Sequence, residues 1–265
     1  MTQGAPTVDM GRSSVSDAMI EAYALNGFVK VPNLITVESA SALRKAALGV
    51  ATGTMPNGDE AYAERLTQQV NVWRSNAILK QITMSPGIAA IAEQLAGCEL
   101  RVWHDHLLSK APRNGFATEW HQDRPYWPFE GKPSTISVWI ALQDTPADLG
   151  CMSFMPGSQR MDDLTAQSLA DARSLFGVAP ELEFESKVTV PLKAGEATFH
   201  NGRTAHMANA NQLDAWRIAH VTIYMQNGVT FSGKPHGVTA EYSKTVSGLT
   251  QGDALDGAWF PRTAK

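Results

Sequence analysis

The feature that most constrains the fold is a change of sequence pattern at Gly97. Beyond this residue, short segments show two-residue alternation or enrichment in β-branched and aromatic residues, and turns rich in Gly, Pro, Asn and Asp separate them. Strands of this number and length favour a β-sandwich or a jelly roll. The predicted strands are Leu100–Trp103, Leu107–Lys110, Ser134–Gln143, Cys151–Met155, Val188–Leu192, Glu196–Phe199 and Arg217–Met225.

Helical signals dominate the chain before that point. The first predicted helix starts after a capping serine and ends at Asn26-Gly27. The spacing of small and apolar residues predicts a second helix over 36–48. A third helix is predicted over Pro86–Leu95, because Ser85 suits the N-cap and proline suits the first helical position.

These patterns predict one domain over residues 1–265, mainly β with flanking helices. The predicted parts are a flexible tail at 1–14, a helical N-terminal elaboration at 15–97, and a β core at 98–230 with a helical insertion at 159–185. Of all residues, 43% are apolar and 18% are charged, which suits a single large core.

Charge and composition disfavour several kinds of partner. The net charge is -4 and no basic run tracks phosphates, so nucleic acid is not expected as a partner. The apolar runs are too short to span a bilayer. Cys98 and Cys151 have no CxxC neighbour, which argues against a disulfide framework or a zinc–thiolate site. We expect a cytoplasmic protein, a monomer or a homodimer, that acts on a small molecule.

The segment Trp120-His121-Gln122-Asp123 carries the first sign of chemistry. On a strand, residues two apart place their side chains on the same face, which would bring His121 and Asp123 together. An imidazole and a carboxylate on one face are two ligands of a metal site. A second histidine from a distant strand would complete the ligand set of non-heme Fe(II) oxygenases.

His206 is the candidate for that second histidine. It follows a predicted strand and a short turn, and Arg217 lies at the start of the next predicted strand. We expect an adjacent antiparallel strand to return Arg217 beside His206. A guanidinium at that place can form a bidentate pair with the carboxylate of an organic acid co-substrate.

The other five histidines lack such a partner. His104 and His106 have the spacing of a rival metal pair, but no third ligand is apparent near them. We expect His104 to be structural, and His236 to be solvated in a tail rich in Gly and Pro. The remaining two, His200 and His220, are expected to pack or hydrogen-bond within the barrel.

With these residues in place, the segment from Glu99 to Gln226 resembles the phytanoyl-CoA dioxygenase family of Fe(II)/2-oxoglutarate-dependent oxygenases. The N-terminal Asn26-Gly27-Phe28-Val29 also resembles the family's opening, so the resemblance covers most of residues 17–226. The matching motifs are Trp120-His121-Gln122-Asp123, the run from Cys151 to Ser158, and Phe199-His200 followed by His206 and Arg217.

The resemblance implies a double-stranded β-helix core, which is a cupin-like jelly roll, with Fe(II) as cofactor and 2-oxoglutarate and O2 as co-substrates. It implies His121, Asp123 and His206 as iron ligands. It further implies a co-substrate pocket in which Arg217 clamps the distal carboxylate, with Trp139, His106 and Lys110 around it.

Two positions qualify what the resemblance implies. Many members carry a serine where this chain has Ala208, so that contact is expected to be absent or moved to Thr222 or Tyr224. Halogenases of this fold carry Gly or Ala at the carboxylate position, so Asp123 disfavours halogenation.

The candidate substrate residues are mostly apolar or aromatic, and no cluster of Lys and Arg suits a CoA phosphate. We therefore expect hydroxylation of an unactivated C–H bond in a mid-sized, largely apolar metabolite, as in tailoring of secondary metabolites. The candidates are Trp73, Arg74, Tyr126, Trp127, Phe129 and Phe231.

Alternatives remain open at this point. The same radical chemistry can end in epimerisation, desaturation or cyclisation. A cupin-like metal-dependent isomerase and a non-catalytic ligand-binding jelly roll are rivals of another class, but neither needs a carboxylate clamp at Arg217.

Overall fold

The structure is a computed structural model that describes residues 7–51, 66–246 and 248–264. The described α-helices are α1 Asp17–Asn26, α2 Val37–Ala51, α3 Ala77–Thr83, α4 Pro86–Ala96, α5 Ser174–Val178 and α6 Gly237–Thr245. The strands are β1 Phe28–Val31, β2 Thr67–Val70, β3 Leu100–Lys110, β4 Thr118–His121, β5 Thr135–Ala141, β6 Met152–Phe154, β7 Val188–Val190, β8 Ala197–Asn201, β9 His206–Ala208 and β10 Arg217–Gln226. Short 3-10 helices lie at Val72–Arg74, Arg124–Tyr126, Ala147–Leu149, Ser158–Arg160 and Pro180–Phe184.

The strands form two antiparallel sheets. The larger sheet has the order β1-β8-β5-β10-β3-β2, and the smaller has the order β4-β9-β6-β7. Neighbours in these sheets are often distant in sequence, as when β10 pairs with both β3 and β5. The prediction of a mainly β, jelly-roll core with flanking helices is confirmed.

Side-chain alternation on β10 separates two apolar cores. Ile218 and Tyr224 belong to the core that the large sheet shares with α2 and α4. Val221 and Ile223 belong to a second core on the inner face, with Trp139 from β5. Because successive side chains point to opposite faces, β10 is buried on both sides along most of its length.

The three predicted helices form, but the second continues to Ala51, beyond its predicted end at residue 48. Ser16 caps α1 by accepting the backbone N–H of Met19, and α1 ends at Gly27, which has a φ of 80°. A Cβ at Gly27 would lie 2.4 Å from Thr204 Oγ1, so only glycine fits there. The sequence patterns do not predict α3, which begins with a side-chain cap from Asn76. Among the described helices, none has both the length and the hydropathy to cross a membrane.

The segment from Leu100 to Lys110 is one continuous strand, where the sequence pattern predicts two. His104, Asp105 and His106 interrupt the apolar pattern, yet all three pair with residues of β10. Three polar residues thus interrupt the apolar pattern of a strand that β10 and β2 pair on both sides.

The predicted helical insertion at 159–185 is mostly not helical. Residues 161–173 contain no helix, and α5 is short. Asp171 and Ser168 accept backbone N–H groups two residues ahead of them, which competes with helix formation. The insertion nevertheless packs Phe176 and Leu182 against Trp120 of β4, so it covers the outer face of the smaller sheet.

The two ends of the chain are more integrated than predicted. Within the predicted tail, residues 1–6 lie outside the described part, but Met10 bridges to Ile35 and the backbone N–H of Asp9 donates to Ser39. At the other end, Leu255 and Phe260 are buried in the inner core. The β core at 98–230 therefore includes packing partners from beyond residue 230.

Candidate metal centre and cavity

Two strands of the smaller sheet bring the candidate histidines together. His121 is the last residue of β4, and His206 is the first residue of β9. The two are register partners, and their ring centroids lie 4.3 Å apart. The pairing across one sheet, rather than spacing along one strand, therefore holds the two imidazoles side by side.

Asp123 does not lie on a strand, contrary to the prediction from its spacing. β4 ends at His121, and Asp123 has helical backbone angles where it precedes the 3-10 helix Arg124–Tyr126. The turn, not the two-residue alternation, brings the carboxylate back to the imidazoles. The backbone N–H of Arg124 donates to Gly202 at 2.8 Å and holds this turn against the loop before β9.

The three side chains converge on one point. Asp123 Oδ1 lies 3.7 Å from Nε2 of both His121 and His206, and one ligand atom from each residue falls within 4.8 Å of the others. Nδ1 of His121 donates to the Glu119 carbonyl at 2.6 Å, and Nδ1 of His206 donates to Thr204 at 2.9 Å. These bonds orient the rings and leave both Nε2 lone pairs facing the carboxylate.

The electrostatics match a set of metal ligands. Burial lowers the pKa of His121, and burial together with the charge of His121 lowers the pKa of His206 to about 3. Burial by itself would raise the pKa of Asp123, but His206, His200 and His121 outweigh it and hold that pKa below its usual range. At neutral pH the site therefore has neutral imidazoles and an ionised carboxylate, the forms that bind a divalent metal.

The second oxygen of Asp123 is held by residues that sequence reasoning did not assign to the site. The Ser137 hydroxyl donates to Oδ2 at 3.1 Å, and His200 Nε2 lies 3.6 Å from the same atom. Both come from neighbouring strands of the large sheet, where they are register partners. The contacts to Oδ2 keep Oδ1 directed at the two imidazoles.

The loop around Asp123 is fixed by two buried side chains. Gln122 points away from the site, donates to the Arg203 carbonyl and accepts the backbone N–H of Leu164. Arg124 donates to three backbone carbonyls, at residues 127, 129 and 131. In the sequence, these two polar residues flank Asp123. Spacing alone does not show which of the neighbouring polar side chains point into the site and which point away from it.

A cavity of about 900 Å³ opens between the two sheets and contains the three converging residues. Arg217 lines it and is only 1% exposed. The prediction that Arg217 lies on a strand next to His206 is wrong, because β10 belongs to the larger sheet and β9 to the smaller. Arg217 instead reaches the cavity from the facing sheet, with its guanidinium carbon 5.7 Å from the ring centroid of Trp139.

The residues predicted around the co-substrate divide into two groups. Trp139 and His106 line the cavity. Lys110 does not, because its ammonium donates to the backbone carbonyls of residues 116, 208 and 209 at 2.8–3.1 Å. Lys110 therefore holds the end of β9 in place, and the structure does not bring it to the cavity.

Neither residue suggested in place of a serine at 208 can reach the cavity. Thr222 and Tyr224 alternate with the cavity residues of β10 and so face the helices. Thr118 is the register partner of Ala208, and both line the cavity. Its buried hydroxyl has no hydrogen-bond partner among the described residues.

Of the candidate substrate residues, Tyr126 and Trp127 line the cavity and the others do not. Trp73 is buried behind β3, and Arg74 stacks between the rings of Trp73 and Trp259. Phe129 and Phe231 pair across an isolated bridge and pack in the inner core. The fold therefore decides which of these side chains line the cavity and which pack in the interior.

One wall of the cavity comes from a part of the chain to which sequence reasoning gave no role. His236, Val238 and Glu241, the latter two on α6, line the cavity. His236 is therefore half-buried at the cavity wall, where a solvated residue is predicted, and His104 lines the cavity as well rather than serving only as a structural residue.

A jelly roll with two imidazoles and one carboxylate converging inside a cavity defines the class of non-heme metal oxygenase folds. The chain belongs to the phytanoyl-CoA dioxygenase (PhyH) family, whose model matches residues 23–219. A curated relative is phytanoyl-CoA dioxygenase domain-containing protein 1 of Danio rerio, 27% identical over 53% of this chain and 50% of its own length. The chain thus matches about half the length of that relative.

Two solved structures match nearly the whole chain. The non-heme alpha-ketoglutarate-dependent carbocyclase SnoK from nogalamycin biosynthesis is 31% identical, with a TM-score of 0.81 over 93% of this chain and 96% of its own. The epimerase SnoN in complex with Fe3+, alpha-ketoglutarate and nogalamycin RO is 27% identical, with a TM-score of 0.79 over 92% of this chain and 97% of its own.

Proposed function

We propose that this protein is an Fe(II)- and 2-oxoglutarate-dependent oxygenase that acts on a C–H bond of a mid-sized, largely apolar metabolite. The observation that carries the proposal is the convergence of His121, Asp123 and His206 within 4.8 Å, inside a cavity that also contains the buried Arg217. When bound, Fe(II) with 2-oxoglutarate and O2 would supply the oxidising chemistry that removes hydrogen from the substrate.

The residues present fit the metal. Two neutral imidazoles and one carboxylate on one side of a metal leave the other positions open, which is the requirement for binding a chelating co-substrate and O2. His121 and His206 would bind through Nε2, because their Nδ1 atoms are engaged with backbone carbonyls. Asp123 would bind through Oδ1, with Ser137 and His200 on its other oxygen.

The residues present also fit 2-oxoglutarate. Arg217 is an always-charged guanidinium in a buried wall, which favours a bidentate pair with a dicarboxylate. Trp139 packs against that guanidinium, and Thr118 offers a hydroxyl beside Ala208. We assign to Thr118 the contact that a serine at position 208 would make.

Size and lining support the substrate class. A volume of about 900 Å³ exceeds what 2-oxoglutarate needs and is that of a drug-sized ligand site. Val221, Ile223 and Trp127 give this space a largely apolar surface. Secondary metabolism is supported by the two antibiotic-pathway enzymes that match most of the chain.

Hydroxylation is the outcome proposed first, and cyclisation or epimerisation is the second. The second is favoured by a specific observation, since the two matching solved structures are a carbocyclase and an epimerase. Mass spectrometry of the product separates the outcomes: hydroxylation adds an oxygen atom, cyclisation removes two hydrogens, and epimerisation leaves the mass unchanged. An isomerase or a simple binding protein would not need Arg217.

The proposal is tested by anaerobic titration of Fe(II), followed by 2-oxoglutarate, into the wild type and two variants. His206→Ala should abolish metal binding, because a ligand is lost. Arg217→Ala should keep metal binding but weaken 2-oxoglutarate binding at least tenfold. Arg113→Ala is the matched control, since Arg113 is an exposed arginine paired with Asp214.

Circular dichroism would show that each variant is folded. The proposal fails if the wild type binds neither Fe(II) nor 2-oxoglutarate. It also fails if Arg217→Ala and Arg113→Ala give the same affinity for 2-oxoglutarate, because the clamp would then have no role.

A further inference from the structure

A group of imidazoles that the metal site does not use lines the same cavity. It consists of His104 and His106 on β3 and His236 before α6, and it is named here the imidazole cluster. The rings of His104 and His106 stack with centroids 4.2 Å apart, and His236 lies 6.1 Å from His104. The lining also includes Gln68, Glu241 and Lys244, and the Gln68 side-chain amide nitrogen lies 3.1 Å from Nδ1 of His106.

The strand register places the imidazole cluster across the cavity from the metal centre. His200, which touches Asp123, pairs with Ser137, and Ser137 pairs with Ile223. Ile223 in turn pairs with His104. Three interstrand spacings therefore separate His200 from His104, a distance of about 14 Å along the sheet.

The same register separates the imidazole cluster from the co-substrate clamp. Arg217 pairs with Lys110, whereas His106 pairs with Val221, four residues further along β10. Four residues of a strand span about 13 Å. A co-substrate held between the metal centre and Arg217 would leave the space beside His106 to another molecule, so His106 belongs with the substrate rather than with 2-oxoglutarate.

The imidazole cluster is uncharged. Burial lowers the pKa of His106 and of His236 to about 4, and it lowers the pKa of His104 well below its usual value. Neutral imidazoles offer no charge to an anionic ligand. Each offers one N–H donor and one lone pair, so the cluster suits an uncharged ligand with polar atoms.

Hydrogen bonds to the backbone assign the tautomers of two rings. His236 Nδ1 accepts the backbone N–H of Val238 at 3.2 Å, so the proton is on Nε2, which is a donor. His104 Nδ1 lies 3.4 Å from the Asp105 carbonyl and donates to it, so Nε2 is an acceptor. The cavity wall thus presents a donor and an acceptor on neighbouring rings.

We propose that the imidazole cluster binds the far edge of the substrate, an uncharged molecule that carries a hydroxyl group next to a carbonyl group. The hydroxyl donates to His104 Nε2, and the carbonyl accepts from His236 Nε2–H. The apolar middle of the molecule lies against Val221 and Ile223, and its other end reaches the metal centre. The statement that the other end of the molecule is oxidised at the metal centre rests on the proposed function. The binding of the polar edge to the imidazole cluster does not.

The test uses two probes that differ in one hydroxyl, 3-hydroxyflavone and flavone. Both have the carbonyl, and flavone lacks the donor. Their dissociation constants are measured on the full chain by quenching of tryptophan fluorescence. The measurement is made with Fe(II) and 2-oxoglutarate under anaerobic conditions, so that the co-substrate fills the chelating positions, and again without them.

His104→Asn and His236→Asn are matched variants. In each, asparagine can keep the backbone bond that Nδ1 makes, and Asn is also a good N-cap for α6, so the fold is preserved. Each variant removes Nε2 together with the outer edge of the ring. His104→Asn should weaken 3-hydroxyflavone about tenfold and leave flavone unchanged, while His236→Asn should weaken both probes about tenfold.

Val221→Ala serves as an apolar control, which should weaken both probes to the same extent. The inference is overturned if neither probe binds, if His104→Asn affects both probes equally, or if His236→Asn affects neither. Failure with the probes while the wild type still binds Fe(II) and 2-oxoglutarate refutes this inference alone. The predicted probe pattern without any metal binding refutes the proposed function and leaves the polar-edge site standing.

Discussion

The two faces of β3 use consecutive polar residues in opposite ways. Asp105 faces the helices, where its Oδ2 accepts the backbone N–H of Trp73 at 3.0 Å and the Thr83 hydroxyl at 2.8 Å, with His220 Nε2 at 3.2 Å. His104 faces the cavity, where its ring is met by another ring of the imidazole cluster and by open space.

The difference teaches how to separate structural from functional polar residues in this fold. Asp105 is surrounded by donors from α3, the preceding 3-10 helix and β10, so its partners belong to the protein. On the cavity face the Gln68 amide reaches His106, and His104 lines the open cavity. Burial is nearly the same on both faces, since His104 is 1% exposed and Asp105 is 0% exposed, so burial alone cannot make this distinction.

The largest expected effect is a loss of stability from a substitution on the helix-facing side of β3. Asp105→Ala removes the carboxylate whose Oδ2 serves three donors and should destabilise the protein by about 3–5 kcal/mol, because buried donors lose their acceptor. Urea denaturation measures the free energy of unfolding. Asp105→Asn keeps an acceptor oxygen of the same size and should cost less than half as much.

His104→Asn provides the comparison from the cavity face and should cost under about 1 kcal/mol, since its backbone bond can be kept. Equal losses for Asp105→Ala and His104→Asn would show that the two faces are energetically alike.

Much of the metal centre could be predicted from the sequence, but for a partly different reason. The spacing of the motif predicts His121 and the order of the strands predicts His206, and the structure brings them together through strand pairing. The same spacing predicts a strand position for Asp123, yet a turn positions it. A motif records which residues are needed, and several local geometries can satisfy it.

The cavity wall opposite the metal centre could not be predicted. Alternation along β3 indicates that His104 and Asp105 face opposite sides, but it does not indicate which side is the cavity. His236 lies in a segment rich in Gly and Pro, and only the docking of α6 onto the inner core turns it inward. Such long-range packing leaves no local pattern.

The next largest effect is on the affinity for Fe(II), and it tests the role of the two residues that contact Asp123 Oδ2. Ser137→Ala and His200→Leu should each lower the affinity for Fe(II) about tenfold to 100-fold, because residues that orient a metal ligand contribute that much. His200→Gln is the matched control. Its side-chain N–H can still reach Asp123 Oδ2, so it should stay within about threefold of the wild type.

A purely structural role for His200 would give a different ranking of the Fe(II) affinities of the two His200 variants. His200 Nδ1 is buried without a hydrogen-bond partner among the described residues, so leucine should pack against Phe154 at no cost in stability. Metal affinity measured by anaerobic titration separates the cases. Equal affinities for the Leu and Gln variants would remove the positioning role.

The smallest expected effect tests whether the imidazole cluster is neutral in the folded protein. Burial holds the pKa of His106 and of His236 near about 4, below the value of about 6.5 for an unfolded chain. Between these values the unfolded state binds more protons, so stability falls as the pH falls. From pH 7 to pH 6 each of these histidines should cost about 0.7 kcal/mol.

Urea denaturation of the metal-free full chain at the two pH values measures this loss. His106→Gln and His236→Asn should each remove one such contribution, so the free energy of unfolding should fall less steeply with pH in each variant and least in the double variant. Arg113→Ala, on the surface, should keep the slope of the wild type. An unchanged slope in the double variant would mean that these imidazoles take up protons equally in the folded and unfolded states. A steeper fall would mean that they are protonated in the folded state, and a charged imidazole cluster would favour an anionic substrate edge instead of a hydroxyl beside a carbonyl.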